Sequence, residues 1–233
     1  MLPLAILAGG YATRLGSLTK DSPKCLIEIN GRSFVDWQLD LLINHGYTDF
    51  IFCISYKSDM VQEHLGDGSR WGVKIRYSLD GETQLGTGGA IQKALPLLGK
   101  AFAVIYGDSY LPIDYFQVER EFLSSPAQAL MTVYENHNRF DDSNVEFIDG
   151  ILVNYEKGTN SPKMKHIDYG LTYFRSSAFL PLGGAKTFDL SDTSHQLSSE
   201  GKLAGFEVFE RFYEIGSAQG IEEFSGYLRR ESE

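Results

Sequence analysis

LPLAILAGG, residues 2–10, decides the expected fold, because a short apolar run ends there in two glycines. The run is far too short to span a bilayer, so we interpret it as a buried strand. Gly9 and Gly10 allow a turn after that strand and let backbone N–H groups approach a ligand closely. An open α/β sheet binds ligands beyond the carboxyl ends of its strands, so this turn is a candidate binding place.

Strand-like and helix-like segments alternate outward from this stretch. The strand-like runs are LPLAIL, DFIFCIS, VKIRYSL and AFAVIYGD, and the amphipathic segments between them are SFVDWQLDLLINHG, SDMVQEHLG and TGGAIQKALPLLG. Such alternation is typical of βαβ crossovers. It predicts an α/β fold with a mainly parallel sheet flanked by helices.

The second half of the chain has a different rhythm. ALMTVYE, NVEFIDG, ILVNYE and HIDYGLTYF indicate shorter strands joined by turns, residues 188–201 a helix, LAGFEVFERFYEIG one or two strands, and AQGIEEFSGYLRR a closing helix. No repeat or linker divides the chain. We therefore predict one domain over residues 1–233, with an alternating α/β half at 1–125 and a smaller β-rich half at 126–233.

Composition limits the partners. The 233 residues are 42% hydrophobic and 22% charged, which suits one compact α/β domain. A formal charge of −10 argues against nucleic acid or an anionic membrane as a partner, so local groups must hold any anionic ligand. Cys25 and Cys53 lack CxxC spacing, which predicts neither a zinc site nor a disulfide and favours the cytoplasm.

Two cations follow the glycine turn, Arg14 and Lys24. Taken singly, a Gly-Gly pair is often only a tight turn, and an arginine or lysine in a loop is usually solvated. Together they supply positive charge beside a backbone that can approach phosphate. The stretch matches neither G-x-x-x-x-G-K-[ST] nor G-x-G-x-x-G, so two other phosphate loops are excluded.

The combination resembles the signature of sugar-1-phosphate nucleotidyltransferases, L-[AS]-G-G-x-x-x-R-[LM] followed by P-K. It stands here as Leu7, Ala8, Gly9, Gly10, Arg14, Leu15, Pro23 and Lys24. HLGDGSRWG, LGTGGAIQKALPLLG and YGDS are similar to the branch of heptose-1-phosphate guanylyltransferases and N-acetylmuramate-1-phosphate uridylyltransferases. The resemblance implies a Rossmann-like mixed sheet, with a nucleotide-binding half at 1–125 and a sugar-binding half with a closing helix at 126–233. It also implies a role in making nucleotide-sugars for bacterial capsule polysaccharide or lipopolysaccharide, or in cell-wall recycling.

The resemblance also implies a Mg²⁺ site. Asp108, at the end of the apolar strand AFAVIY, matches the family's metal-binding aspartate, and Glu214 in RFYEIGS stands where the family has a second aspartate. Mg²⁺ prefers one or two carboxylates together with phosphate oxygens and water. From the residues alone, Asp108 could equally cap the turn that follows its strand.

Further positions are assigned by the same resemblance. Glu156 and Lys157 in NYEKG match an E-K-P motif that contacts the sugar and its phosphate, and Asp168 and Gly170 in IDYGL stand where relatives have N-A-G, at the sugar pocket. The segment GETQLGTGGA is expected over the nucleobase and sugar. The full expected nucleotide set is Leu7, Ala8, Gly9, Gly10, Gln84, Gly86 and Thr87, and Gly107 joins the sugar-phosphate set.

The expected activity is Mg²⁺-dependent transfer of a nucleoside monophosphate from a nucleoside triphosphate to a sugar 1-phosphate, with Arg14, Lys24 and Asp108 as catalytic residues. A cytidylyltransferase for an ester such as phosphocholine and a non-catalytic nucleotide-sugar-binding regulator are the alternatives. A nicotinamide oxidoreductase is a third alternative, but this sequence lacks the spaced glycines that such enzymes use to bind the dinucleotide. The sequence does not identify the nucleobase, the sugar or the pathway. It also leaves open whether the protein forms a homo-oligomer.

Overall fold

The computed structural model describes residues 1–10, 22–81, 83–159, 161–179 and 187–231. Its strands are β1 (Leu4–Leu7), β2 (Glu28–Ile29), β3 (Arg32–Ser33), β4 (Asp49–Ile54), β5 (Lys74–Leu79), β6 (Ala101–Tyr106), β7 (Ser109–Tyr110), β8 (Ala129–Glu135), β9 (Val145–Ile148), β10 (Ile151–Tyr155), β11 (His166–Arg175), β12 (Leu203–Val208) and β13 (Tyr213–Glu214). Its α-helices are α1 (Phe34–Asn44), α2 (Ser58–Leu65), α3 (Gly86–Leu98), α4 (Tyr115–Ser124), α5 (Leu190–Ser199) and α6 (Ala218–Glu231).

The centre of the sheet is parallel. Within the described ranges, nine strands form one sheet, whose main path runs β10-β9-β11-β6-β1-β4-β5. β1 pairs in parallel with both β4 and β6, and β4 pairs in parallel with β5. The apolar sequences of β1, β4 and β6 suit strands covered on both faces. The prediction of a mainly parallel sheet flanked by helices is confirmed.

The second half of the chain extends this sheet with antiparallel strands. β11 pairs with β6 on one side and with β8 on the other, and β12 adds to β8 in parallel. β9 and β10 form a hairpin whose turn residues, Asp149 and Gly150, have φ of +51° and +82°, as a type I′ turn requires. Both halves of the chain therefore contribute to one sheet.

Side chains that alternate along the strands build a core on each face of the sheet. Leu4 and Ile6 of β1 lie in one cluster, with α1, α2 and α4, whereas Ala5 lies in the other, with α3 and α5. A third cluster packs α6 against the start of α1 through Phe34, Phe224 and neighbouring apolar residues. Because β13 contributes to this third cluster, α6 fixes the position of Glu214.

Most predicted elements are present, and one helix was not predicted. α4 begins after Asp114, whose carboxylate accepts the backbone N–H of Gln117 at 3.1 Å. This N-cap, followed by apolar residues at helical spacing, is the signal that would have revealed the helix. Among the helices of the described ranges, none has both the length and the apolar character needed to cross a bilayer.

Candidate active site

A pocket of about 250 Å³ opens at the carboxyl edge of the parallel strands. Backbone bonds hold the strand ends together, from Ala8 N–H to Cys53 O and from Gly107 N–H to Leu7 O, both at 2.9 Å. The predicted residues that line the pocket are Leu7, Ala8, Gly9, Gly10, Lys24, Gln84, Gly86, Thr87, Gly107 and Asp108. The structure therefore brings the predicted nucleotide set and two predicted catalytic residues to one place.

The glycines at this edge have different structural roles. Among the described residues, no atom lies within 4 Å of a Cβ placed on Gly10, and Gly10 lines the pocket. A Cβ on Gly107 would lie 2.9 Å from Ala8 Cβ and 3.0 Å from Leu7 O, so a side chain there would push the ends of β6 and β1 apart. Gly10 thus suits contact with a ligand, and Gly107 is required by strand packing.

The glycines at the start of α3 approach the chain itself. Gly86 has φ of +71°, and its Cβ would lie 2.5 Å from Phe188 O. Gly88 is covered by the Phe188 ring, and its N–H donates to Phe188 O at 3.0 Å. The expected reason for these glycines was close backbone approach to a base or sugar, whereas the close approach in the structure is to Phe188.

Lys24 and Asp108 form an ion pair inside the pocket, with Nζ and Oδ2 2.8 Å apart. Pro23 precedes a single 3-10 turn, Lys24–Leu26, in which Cys25 is buried and anchors the turn to the core. The side chains of Lys24 and Asp108 are only 22% and 31% exposed, so solvent screens the pair incompletely. The arrangement holds a positive charge beside the open backbone of Gly10.

Glu214 is brought next to Asp108 by a short ladder. β13 pairs antiparallel with β7, with Glu214 opposite Ser109, and Ile215 N–H donates to Asp108 O at 3.0 Å. Glu214 itself is exposed. The two predicted metal ligands therefore come from segments that adjoin, although they are distant in sequence. The described residues contain no cluster of three or more His, Cys, Asp or Glu that could hold a metal.

Two acidic residues that were not predicted from the sequence also line the pocket, Asp80 and Asp189. Asp80 follows β5, and its Oδ2 accepts Leu85 N–H at 3.1 Å. Burial raises the pKa of Asp80, and the Leu85 hydrogen bond partly opposes that rise. Asp189 is the N-cap residue that precedes α5, and its Oδ1 lies 3.5 Å from Thr87 Oγ1. Asp80 could have been predicted as a site residue because it directly follows a strand. Asp189 could not, because only tertiary packing brings it to Thr87.

Asp168 and Gly170 lie beside the pocket, in a bulge of β11. The register against β8 shifts between Asp168 and Thr172, and Gly170 has φ of +107° with its N–H bonded to Asp168 Oδ1 at 3.0 Å. Burial raises the pKa of Asp168 from 3.8 to about 6, against the opposing effects of Gly170 N–H and the Lys157 charge. The Asp168 charge reaches Tyr106, which lines the pocket.

The other predicted sugar-side residues follow β10. Glu156 is half-buried, and its backbone N–H donates to Asn144 O at 3.0 Å. Lys157 is exposed, and its charge acts on Asp168. Neither residue lines the pocket, so the structure does not bring this pair together with Lys24 and Asp108, and the charge effect of Lys157 on Asp168 is its link to the predicted sugar-side residues. Arg14 lies outside the described residues.

Tyr169 occupies the place where the family resemblance implies a small residue, and its ring lies in the hydrophobic core. It is 2% exposed and packs edge-on against Phe212 at a ring separation of 5.7 Å. Tyr169 is therefore a core residue at the bulge of β11.

Gly9, Gly10, Lys24 and Asp108 thus lie together at the carboxyl edge of an open α/β sheet, where proteins of this class bind their ligands. The family model described as Nucleotidyl transferase matches residues 4–211. The chain belongs to this family.

Two curated bacterial proteins are similar to it over part of their length. D-glycero-alpha-D-manno-heptose 1-phosphate guanylyltransferase of Campylobacter jejuni is 38% identical over 109 residues, 47% of this chain and 48% of that protein. N-acetylmuramate alpha-1-phosphate uridylyltransferase of Neisseria meningitidis is 38% identical over 111 residues, with the same shares. The match thus spans about half the length of these relatives.

A solved structure shows the same fold over nearly the whole chain. HddC from Yersinia pseudotuberculosis, complexed with GMP-PN, superposes with a TM-score of 0.79 at 23% identity. The superposition covers 98% of this chain and 100% of that one. This likeness establishes the fold.

Proposed function

We propose that the protein transfers a nucleoside monophosphate from a nucleoside triphosphate to a sugar 1-phosphate, with release of pyrophosphate. The observation that carries the proposal is the Lys24–Asp108 pair beside the Gly9–Gly10 turn, in a pocket lined by both. The names of the two curated relatives, a guanylyltransferase and a uridylyltransferase for sugar phosphates, support it. A substrate such as a nucleoside triphosphate agrees with a cytoplasmic location.

The reaction requires positioning and charge neutralisation. A phosphate oxygen of the sugar 1-phosphate forms a bond to the α-phosphorus, and the bond from that phosphorus to the bridging oxygen breaks as pyrophosphate leaves with the electron pair. No protein nucleophile takes part. Lys24 stabilises the negative charge of the triphosphate, and the backbone of Gly10 contacts its phosphates.

Asp108, together with Glu214 from the adjoining backbone segment, would hold a magnesium ion. Asp108 and Glu214 offer oxygen ligands, which Mg²⁺ prefers, from adjoining backbone segments. When bound, the metal would neutralise phosphate charge during transfer. Because Lys24 Nζ is 2.8 Å from Asp108 Oδ2, Lys24 must share or leave that oxygen when a cation is held there.

The sugar phosphate would lie on the side of β11. Asp168 presents a carboxylate to sugar hydroxyls, and the bulge at Gly170 lets the backbone pass near Ser109 without a side chain. Lys157 supplies a positive charge at the margin for the attacking phosphate, and Glu156 lies beside it for a hydroxyl. These roles complete the acceptor side.

The test is a matrix of five nucleoside triphosphates against sugar 1-phosphates and phosphocholine, read by pyrophosphate release and product mass. We expect pyrophosphate and a nucleotide-sugar with at least one combination, and loss of both when Mg²⁺ is replaced by EDTA. Turnover of phosphocholine alone would make the protein a cytidylyltransferase of another class. Nucleotide binding without pyrophosphate release would make it a regulator.

A further inference from the structure

The loop after β5 forms a wall of the pocket across the parallel strands from the Lys24–Asp108 pair. The parallel strands stand in the order β6-β1-β4-β5, so the carboxyl ends of β6 and β5 are three strand spacings, about 14 Å, apart. Asp108 follows β6 and Asp80 follows β5, and both line the pocket. The inference rests on the proposed function: with the phosphates near Lys24, the base points towards Asp80.

Asp80 is held in place by the surrounding backbone. Its N–H donates to Ile54 O at 3.1 Å, its Oδ2 accepts Leu85 N–H at 3.1 Å, and its carbonyl accepts Lys93 Nζ at 3.1 Å. An ionised carboxylate accepts about four hydrogen bonds and donates none, and Leu85 supplies one of these. The half-buried carboxylate therefore has acceptor capacity for donors on a ligand.

The bases differ in the donors that they can offer to such a group. Guanine carries N1–H and the 2-amino group side by side, which matches the two oxygens of a carboxylate. Uracil and thymine offer one N–H between two carbonyl oxygens, and the amino groups of adenine and cytosine adjoin a ring nitrogen that accepts. In each of these, an acceptor faces the carboxylate.

We infer that Asp80 selects guanine, so that the nucleotide donor is a guanine nucleoside triphosphate. Each good bidentate pair discriminates against the wrong base by about 5- to 150-fold. We expect the wild-type protein to prefer GTP to UTP and CTP by that margin. We also expect it to prefer GTP to ITP, which lacks the 2-amino group.

The test exchanges donor and acceptor at Asp80. In Asp80→Asn, the amide oxygen still accepts from Leu85 N–H or N1–H, and the amide N–H now donates, which suits the 2-carbonyl of xanthine. Affinity for GTP, XTP and UTP is measured by calorimetry with each nucleotide alone, and kcat/KM by pyrophosphate release. We expect the variant to bind GTP about 5- to 150-fold more weakly and XTP more tightly, reversing the ratio.

Two variants serve as controls. Asp59→Asn, at an exposed position of α2, should change neither ratio nor affinity. Asp189→Asn, at another wall of the pocket, should leave the GTP to XTP ratio as in the wild type, whatever its effect on turnover. A wild-type preference for UTP or CTP, or an unchanged ratio in Asp80→Asn, overturns the inference. Absence of pyrophosphate with every substrate contradicts the proposed function alone, because calorimetry still reads the choice of base.

Discussion

The Lys24–Asp108 ion pair joins two groups with different roles in the proposed reaction. Lys24 stabilises the triphosphate, and Asp108 would hold the metal. With Nζ and Oδ2 2.8 Å apart, each group neutralises the other in the absence of phosphate. An acidic chain of charge −10 can hold an anionic ligand only by such local cations. The bond to Asp108 positions Lys24 at the pocket before a ligand arrives, so little reorganisation is needed on binding.

Lys24→Ala removes this positive charge from the triphosphate. Loss of one pre-organised charged contact costs about 10²- to 10³-fold in turnover, and we expect a decrease of that size in pyrophosphate release. Lys202→Ala is the control, because Lys202 is exposed and pairs with Glu200 away from the pocket. Near-normal turnover of Lys24→Ala would exclude Lys24 from the mechanism.

Asp168 should make stability depend on pH in a defined direction. Its pKa rises on folding from 3.8 to about 6, so the folded protein binds the proton more tightly than the unfolded chain. Stability therefore falls as pH increases between these two values and levels off above them. In Asp168→Asn this loss is absent, while the amide oxygen can still accept Gly170 N–H.

We expect the free energy of unfolding of Asp168→Asn, measured in urea, to increase relative to that of the wild type as the pH rises from about 4 to about 7.5. The comparison is the difference between variant and wild type at each pH, which cancels the titration of other groups. A difference that is constant across this range would show that Asp168 titrates alike in the folded and unfolded states.

Among the elements, α3 and α6 contain glycines that face very different surroundings. Gly88, in the first turn of α3, is covered by the ring of Phe188, so a Cβ there has no room. For Gly226, in α6, Arg230 Nη1 at 3.7 Å is the only atom of the described residues, apart from the helix's own backbone, that lies within 4 Å of a Cβ. Glycine is thus a packing requirement at Gly88 and a weakness at Gly226.

Replacing each glycine by alanine should have opposite effects. Gly226→Ala should raise the free energy of unfolding by about 0.5–1 kcal/mol, because alanine favours the helix. Gly88→Ala gains the same propensity but must displace Phe188, and should lower stability by about 1–3 kcal/mol. Urea unfolding measures both. If Gly88→Ala also stabilises, the contact with Phe188 is not close-packed.

Periodicity predicted most elements because each buries a face that its own sequence reveals. α4 was not predicted, although Asp114 and the apolar positions that follow carry the signal. The residues of the candidate site were likewise only partly predicted from the sequence. Gly9, Gly10, Lys24 and Asp108 were predicted because they directly follow strands or belong to a local motif. Asp189 was not, since only the packing of Phe188 on α3 brings it to the pocket.

At the scale of the whole molecule, the proposed site depends on both halves of the chain. β6 of the first half pairs with β11 of the second from Ala101 to Ile105. β13, which carries Glu214, is held by the cluster that joins α6 to the start of α1. A site formed in this way requires both halves to be folded at once.

Unfolding of the whole chain should therefore be a single cooperative transition. The chain has two tryptophans, Trp37 and Trp71, both in the first half, so their fluorescence reports that half alone. Far-UV circular dichroism reports helices and strands of both halves. Coincident urea transitions by these two probes are expected, as for one cooperative domain. A second circular dichroism transition without a fluorescence change would mean that residues 126–233 unfold independently, because strand pairing with β6 would then be too weak to couple the halves.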